Sequence, residues 1–353
     1  MDGVRAAASI TVLGALVVAA TSIQLGDPRA DSLAQTGPAR AGLDHLNHAG
    51  IGTGPLAPFD TLVRSGDPEM VADALAGVAG VRAAIAPRAW RRDGTALIAV
   101  IPTTDGNSPA GRATLDRIRT AERALPANVV TGGKAAQSAD FLDEVYGNFP
   151  LVIALISTMT FLLLARAFRS LVLPLKAVLL NLLSVAAAWG LMVLVWQHGW
   201  GSHAIWGINA THSINVEMPI VIFAFLFGIS MDYQVFIISR MREAYDRTRS
   251  TDTAVVEGIG RTGRLVTSAA LILGLAFAAM SAGPGTEAKM FATALGGGIL
   301  LDATLIRGVL APAAVAILGR WNWWLPRRPA RLLHVEPSAA LPEVALKPAP
   351  QTT

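Results

Sequence analysis

The chain has 353 residues, of which 52% are hydrophobic and 15% are charged, and its mean hydropathy is +0.47. Soluble domains carry about 25% charged residues, so this composition leaves too few charged groups to cover a fully wetted surface. The absence of cysteine excludes a disulfide framework, a thiolate metal site and a cysteine nucleophile. We therefore predict a polytopic membrane protein with room for one soluble domain.

Six stretches predict transmembrane helices, because crossing a bilayer takes about 20 apolar residues of helix. They span about residues 4–23, 149–168, 172–196, 218–239, 265–283 and 290–318. The first has a competing interpretation as a secretory signal peptide, since Arg5 precedes an apolar centre and small residues follow near Ala19. Under both interpretations the segment that follows is exported.

The loop charges predict the orientation of these spans. Lys and Arg concentrate between spans two and three, between spans four and five, and after span six, whereas residues 198–217 contain none. The positive-inside rule then places both termini in the cytoplasm, in a multi-pass protein of the cell (plasma or inner) membrane. Tryptophans near the span ends are typical of interfacial aromatic belts; they are Trp196, Trp200, Trp206, Trp321, Trp323 and Trp324.

Residues 25–146 predict an extracytoplasmic α+β domain between helices 1 and 2. Strand-like and helix-like segments follow one another in the order β-α-β-β-α-β, which is the order of the ferredoxin-like sandwich. Asp67 and Ser108, each followed by proline, predict the caps of its two helices. Residues 25–58 predict irregular structure, and a third helix, from about Ala135, is expected to run directly into span two.

The other regions complete the predicted organisation. Residues 1–24 form helix 1, residues 147–320 form a five-helix transmembrane region, and residues 321–353 form a largely disordered cytoplasmic tail. Within the five-helix region, apolar positions such as Val255 alternate with charges, which predicts a cytoplasmic interfacial helix at about 242–262.

The sequence predicts neither an enzyme nor a cofactor, because it shows no nucleophile–base pair, metal cluster or nucleotide-binding loop. His45 and His48, beside Asp44, offer a metal pair without a third spaced ligand, and solvated loop histidines are the alternative. The arginines of the loops follow from membrane topology, so no nucleic-acid partner is predicted.

One acidic residue interrupts the fourth span, in the stretch FGISMDYQVF at residues 227–236. A carboxylate at the centre of a transmembrane helix costs about 2.5–3.5 kcal/mol, so such residues face protein or trapped water and are functional by default. Asp232 is therefore a candidate proton-binding group, with the Tyr233 hydroxyl beside it. Gly228 lies one turn earlier on the same face and predicts close approach of a neighbouring helix.

Span six has matching features. Gly298 lies one turn before Asp302, which again combines a small residue with an acid. Arg307 follows five residues later, about 140° around an α-helix, so an ion pair within this helix is predicted to be poorly placed. Its partner is expected on another helix, with Asp232 as one candidate, and snorkelling of Arg307 to the cytoplasmic face is the alternative.

These motifs resemble a known family of transporters. FGISMDYQVFIISRMREAY, AVVEGIGRTGRLVTSAALIL and LDATLIRGVLAPAAVAILGRWNWWLP occur in that order and resemble the MMPL (mycobacterial membrane protein large) branch of the RND transporter superfamily. The predicted order of one span, an exported domain and five spans is similar to the C-terminal half of such a transporter.

The resemblance implies a function and a site. Members are proton-driven exporters of lipids, glycolipids or drugs, so the implied partners are a lipid or hydrophobic small-molecule substrate, protons and membrane lipids. The implied proton relay consists of Asp232, Tyr233, Asp302 and Arg307. Members have two such halves, so a second six-helix half is expected, as a separate chain or a further copy of this one. The alternatives are a non-transporting scaffold or truncated remnant, and a protein-secretion auxiliary of the same superfamily.

Overall fold

The computed structural model describes residues 2–27 and 37–336. In chain order the helices are α1 (Asp2–Ala20), α2 (Pro38–His48), α3 (Pro68–Ala76), α4 (Pro109–Glu122), α5 (Lys134–Phe168), α6 (Val172–Gln197), α7 (Ser202–Trp206), α8 (Met218–Thr248), α9 (Thr251–Ser281), α10 (Thr286–Trp323) and α11 (Arg327–Leu332). The strands are β1 (Phe59–Ser65), β2 (Val81–Ile85), β3 (Arg91–Arg92), β4 (Thr95–Pro102) and β5 (Asn128–Gly132).

The chain divides into two compact units. The first consists of Met1–Ser22, Leu151–Met192 and Met218–Thr353, and the second of Ile23–Pro150 and Val193–Glu217. The first is helical and contains the predicted site residues, while the second contains the β-sheet.

In the described part of the chain, five helices are long and apolar enough to cross a membrane. They are α5, α6, α8, residues Thr262–Ser281 of α9, and α10. The apolar part of α1, Val4–Ala20, is shorter. The α5 helix runs without a break from Lys134 to Phe168, which confirms the predicted helix that continues into span two.

The segment 242–262 does not form a helix of its own. Residues up to Thr248 extend α8, and α9 begins at Thr251. Arg249 has a left-handed backbone with φ of 54°, and Ser250 caps α9 by accepting a hydrogen bond from Thr253 N. The predicted interfacial helix is therefore wrong, because this tight turn divides its residues between two long helices.

The second unit is built on an antiparallel sheet. The strand order is β2-β4-β1-β5, and β3 pairs with the end of β4. Alternate residues of β1 and β4 are buried, as expected when one face of a sheet carries the core. The helices α3 and α4 contribute core residues such as Leu75 and Ile118. Asp67 and Ser108 accept hydrogen bonds from backbone N–H groups of their helices, which confirms both predicted caps.

The stretch predicted as irregular contains a helix, α2, with Pro38 in its first turn. The sequence around this helix is rich in glycine and alanine, so it gives no clear signal for where the helix begins. Residues 28–36 lie outside the described part of the chain, as do residues 337–353 of the predicted tail. The tail residues up to 336 include buried Trp323 and Leu325, so this part is packed rather than disordered.

Candidate functional site

A buried ion pair lies inside α10. Asp302 is 4% exposed and Arg307 is 6% exposed, and Arg307 Nε donates to Asp302 Oδ2 at 2.7 Å. Moving two charges out of water costs several kcal/mol each, so a buried pair persists only with good geometry and further hydrogen bonds. A pair of this kind in an apolar helix is the usual mark of a functional position in a membrane protein.

The local helix geometry makes this pair possible. Residues Asp302–Leu310 form a π-helical run, in which hydrogen bonds close from residue i to i+5 and residues five apart are brought together. The prediction that a pair within this helix is poorly placed was wrong, because it assumed 3.6 residues per turn throughout. The carboxylate partner of Arg307 is five residues earlier on the same helix. The predicted partner on another helix and the alternative of snorkelling to the surface are therefore both wrong.

The helix α8 supplies the next contacts of Arg307. Arg307 Nη2 donates to the backbone oxygen of Ser230 and, at 2.8 Å, to its hydroxyl Oγ. The guanidinium carbon lies 5.5 Å from the centre of the Tyr233 ring, a distance at which a cation is attracted to an aromatic face. The structure thus brings Asp302, Arg307 and Tyr233 together, and it adds Ser230 to them.

Asp232 lies apart from this cluster. Its side chain is exposed and forms no hydrogen bond or ion pair with any described residue. Phe225 and Phe236, also on α8, are 51% and 56% exposed, so an apolar stripe with one carboxylate runs along this helix. A Cβ added at Gly228 meets nothing within 4 Å. The prediction that Gly228 is a close-packing position is therefore wrong within this chain, because its face of α8 is uncovered.

Gly298 is placed differently. A Cβ there meets Ala188 Cβ of α6 and a Leu226 methyl of α8, each at 2.9 Å, so three helices converge at this position. Gly190 of α6 is closer still, since an added Cβ would lie 2.5 Å from the carbonyl carbon of Leu16 in α1. Sequence reasoning missed Gly190, although a glycine inside an apolar run is the signal for such an approach.

Polar groups of α6 face the interior of the helical unit. Asn181 is fully buried, and its Nδ2 donates to the carbonyl of Phe227 at 3.0 Å. Asn181 Oδ1, Ser184 Oγ and Arg307 Nη1 are buried and lack a hydrogen-bond partner in the described part of the chain. The sequence signal for this group was the presence of asparagine and serine at positions 181 and 184 of an apolar span, which are three residues apart and share a helix face.

The Asn-Trp-Trp element at the end of the third motif has a structural role at one end of the bundle. Asn322 donates to the carbonyls of Val315 and Gly319 and accepts from Lys176 Nζ. Trp323 stacks on Tyr245 with ring centres 3.9 Å apart and is fully buried. Trp323 is therefore not part of an interfacial belt.

Trp196 is not an interfacial residue either. It is fully buried and stacks on Trp206 with ring centres 5.2 Å apart. The indole rings of Trp323 and Trp196 thus lie in packed interiors. A tryptophan near the end of a span has the same sequence signal whether it is buried in this way or contacts the membrane surface.

The histidine pair lies on α2. His48 Nδ1 is 2.7 Å from the carbonyl of Asp44, and Asp44 pairs with Arg40. Among the described residues, no three His, Cys, Asp or Glu side chains are grouped as a metal site would require.

A comparison of the chain with known protein families identifies its family. The model of the MMPL family matches residues 60–338. The chain belongs to the MMPL family.

Named relatives match most of the chain. The Mycobacterium tuberculosis H37Rv protein named heme uptake protein MmpL11 is 35% identical over 97% of this chain and 37% of its own length. The Mycolicibacterium smegmatis protein named mycolic acid-containing lipids exporter MmpL11 is 36% identical over 71% of this chain and 26% of its own. A crystal structure of a heavy metal efflux pump superposes with a TM-score of 0.44 at 17% identity, over 74% of this chain and 36% of the pump. This MMPL chain thus spans little more than a third of the first relative.

Proposed function

We propose that this MMPL chain is half of a proton-motive-force-driven exporter of lipids or other hydrophobic or amphipathic molecules. The observation that carries the proposal is the buried Asp302–Arg307 pair, whose cation is also held by Ser230 and faces Tyr233 of α8. No other charged pair of the described helical unit is buried to this degree on both sides.

The pair offers a way to convert a proton into helix movement. When Asp302 takes up a proton, the charge of Arg307 loses its partner while its bonds to α8 remain. An unpaired buried cation is strongly unfavourable, so the guanidinium must find another anion or water. The force between α10 and α8 then depends on the protonation of Asp302, which is what coupling to a proton gradient requires.

The proposed relay extends to Asp232 and a second half. A carboxylate that faced lipid would cost about 2.5–3.5 kcal/mol, and Asp232 is exposed on α8 without a hydrogen bond or ion pair to any described residue. A second six-helix bundle packed on the exposed stripe of α8 would bury Asp232 between the halves. The length of the relatives, of which this chain spans 37% in one case, supports such a second half.

The substrate class follows from the relatives and the membrane setting. One relative is named a mycolic acid-containing lipids exporter and another a heme uptake protein. Both ligands combine a large apolar body with charged or polar groups. We infer an amphipathic substrate of this kind, taken from or delivered to the membrane.

The proposal includes six spanning helices, with α1 as the first, and both termini in the cytoplasm. Helix α1 is short, but its N-terminal residues and the arginine-rich turn at Arg247 and Arg249 fit the positive-inside rule. The sheet order β2-β4-β1-β5 with two helices supports classifying the exported domain as ferredoxin-like.

The test is the isosteric change Asp302→Asn. Lipid export from cells and proton uptake by proteoliposomes should fall about 100-fold, as expected when a proton-transferring group is removed. Thr304→Val, at an exposed position of the same helix, is the matched control and should transport normally. Unchanged export by Asp302→Asn at normal expression would contradict the proposal. A wild-type chain that assembles with a partner but moves no protons would favour the alternative of a non-transporting scaffold.

A further inference from the structure

A small cavity lies beside Arg307 among α6, α8 and α10. Its volume is about 30 Å³, and its lining includes Arg307, Ala311 and Val315 of α10, Lys176 of α6, and Gln234 and Met241 of α8. A cavity of this size holds one or two water molecules. Neither this cavity nor Lys176 has a role in the proton relay proposed so far.

The cavity extends from the ion pair toward one end of the bundle. Arg307, Ala311 and Val315 follow at intervals of four residues, so the lining spans about 12 Å along the helix axis. Asn322, which accepts a hydrogen bond from Lys176 Nζ, lies beyond Val315 on α10. Residues 166–176, 240–249 and 320–331 supply the clustered positive charges of this end, which the positive-inside rule assigns to the cytoplasm.

Arg307 and Lys176, which both line the cavity, have N–H donors that water in the cavity could satisfy. Arg307 uses Nε and Nη2 for Asp302 and Ser230, while its buried Nη1 has no partner among the described residues. A buried donor left unsatisfied costs about 1–3 kcal/mol, and a water in the cavity would relieve that cost. Lys176 can donate three hydrogen bonds, of which the structure shows the one to Asn322.

We propose that Lys176 is the proton carrier between the Asp302–Arg307 pair and the cytoplasm, connected to the pair by water in this cavity. The proposal rests on the proposed proton-coupled function. Asp302 gives its proton to a water molecule beside Arg307, and that water, or a second one next to it, gives a proton to the neutral Lys176 amine. The Asp302 carboxylate pairs again with Arg307. The Lys176 ammonium then releases a proton to cytoplasmic water and returns to the amine.

The charges around Lys176 suit such a carrier. Among the described residues that line the cavity, Arg307 is the other charged group, and no carboxylate is present. An ammonium at position 176 therefore has no anion in the cavity to hold it, and the Arg307 cation disfavours its lasting presence. Asn322 keeps the side chain in place in both protonation states, because its Oδ1 accepts from an amine as well as from an ammonium.

The first experiment measures water access and does not depend on transport. Since the chain has no cysteine, Ala311→Cys and the control Leu179→Cys, which is 56% exposed on α6 at a similar depth in its span, each give a single thiol. Silver ions are added from either side of sealed vesicles, and the thiols left free are then alkylated. We expect silver from the cytoplasmic side to block Ala311→Cys about tenfold faster than Leu179→Cys, because lipid-facing positions exclude water. Equal rates, or access to Ala311→Cys from the opposite side alone, would overturn the proposal.

The second experiment measures proton uptake by proteoliposomes that contain a pH-sensitive dye. Lys176→Met keeps the long apolar stem, removes the amine and should slow uptake about 100-fold, whereas Leu175→Met, at an exposed neighbouring position, should leave it unchanged. Lys176→His should restore part of the uptake, because imidazole also takes up and releases protons. A purely structural role predicts that Lys176→His is as inactive as Lys176→Met.

The outcomes separate this inference from the proposed function. If the wild type and Lys176→Met take up protons equally while Asp302→Asn does not, the relay stands and the role of Lys176 is wrong. If silver reaches Ala311→Cys but the wild type, reconstituted together with its second half, takes up no protons, the water-filled cavity stands and both the proton-coupled function and the carrier role of Lys176 are wrong.

Discussion

At the scale of single residues, the charge balance around Arg307 decides the behaviour of the site. Its side chain contacts an acid on its own helix and a serine and a tyrosine on α8. Asp232, which lies on α8, makes none of these contacts. The two acids therefore have different tasks in the proposed relay, Asp302 as the internal partner of the cation and Asp232 as the group that meets a second half.

Removal of Arg307 should destabilise the chain more than removal of the whole pair. Arg307→Met leaves a buried carboxylate without a partner and should lower the free energy of unfolding by about 3–5 kcal/mol. The double variant Asp302→Leu/Arg307→Met should recover most of that loss, because apolar groups can replace a buried pair at little cost. Unfolding in mixed micelles measures both values. A double variant that is less stable than Arg307→Met would show that the pair itself holds the fold.

At the scale of helices, α8 presents two different faces. One packs on α6 and α10 through buried residues such as Leu226 and Ser230, and its convergence point is Gly298 of α10. The opposite face carries the exposed stripe around Asp232. A single helix thus joins the interior of this unit to the surface on which we propose that the second half packs.

The two glycines of the predicted site should respond differently to the same change. Gly298→Leu forces a side chain against Ala188 and Leu226 and should cost about 1–3 kcal/mol of stability. Gly228→Leu, on the open face, should change the stability of the isolated chain by less than about 0.5 kcal/mol but prevent assembly with the second half. Unfolding in micelles and native mass measurements separate the two effects. A large loss of stability in Gly228→Leu would mean that this face is already packed within the chain.

At the scale of the whole molecule, the described chain supplies a unit built on a β-sheet, a helical unit, and an exposed stripe of α8 that carries Asp232. The proposed second half should be detectable by crosslinking, since single cysteines introduced into a cysteine-free chain give an unambiguous product.

Phe225→Cys and Phe236→Cys should each form a crosslink to a second bundle in native membranes, because both side chains lie on the exposed stripe of α8. The stripe should lie close to its partner along about 16 Å of helix, since eleven residues separate the two positions at a rise of about 1.5 Å each. Ile317→Cys of α10 is the control and should remain uncrosslinked. The mass of the product distinguishes a further copy of this chain from a different protein. If none of the three variants forms a product, the stripe faces lipid and the half-transporter proposal fails.

Much of this architecture could be predicted from the sequence. Apolar runs predicted the positions of the long helices, and the cap residues Asp67 and Ser108 marked helix starts in the unit that contains the β-sheet. The partner of Arg307 could not be predicted, because an α-helical period places residues 302 and 307 on different faces. The burial of Trp323 and Trp196 was also missed, since a tryptophan near a span end has the same sequence signal in a packed core and at a membrane surface.

The π-helical run of α10 has a consequence for comparing this protein with its relatives. Beyond Leu310 the side chains are rotated relative to an uninterrupted α-helix, so Ala311 and Val315 reach the cavity from positions that a helical wheel drawn from Thr286 would misplace. Aligning a relative that lacks these wide turns therefore calls for a gap of about one or two residues inside the run Asp302–Leu310. Without that gap, the residues after Leu310 would be aligned with positions of the relative that lie on a different face of the helix.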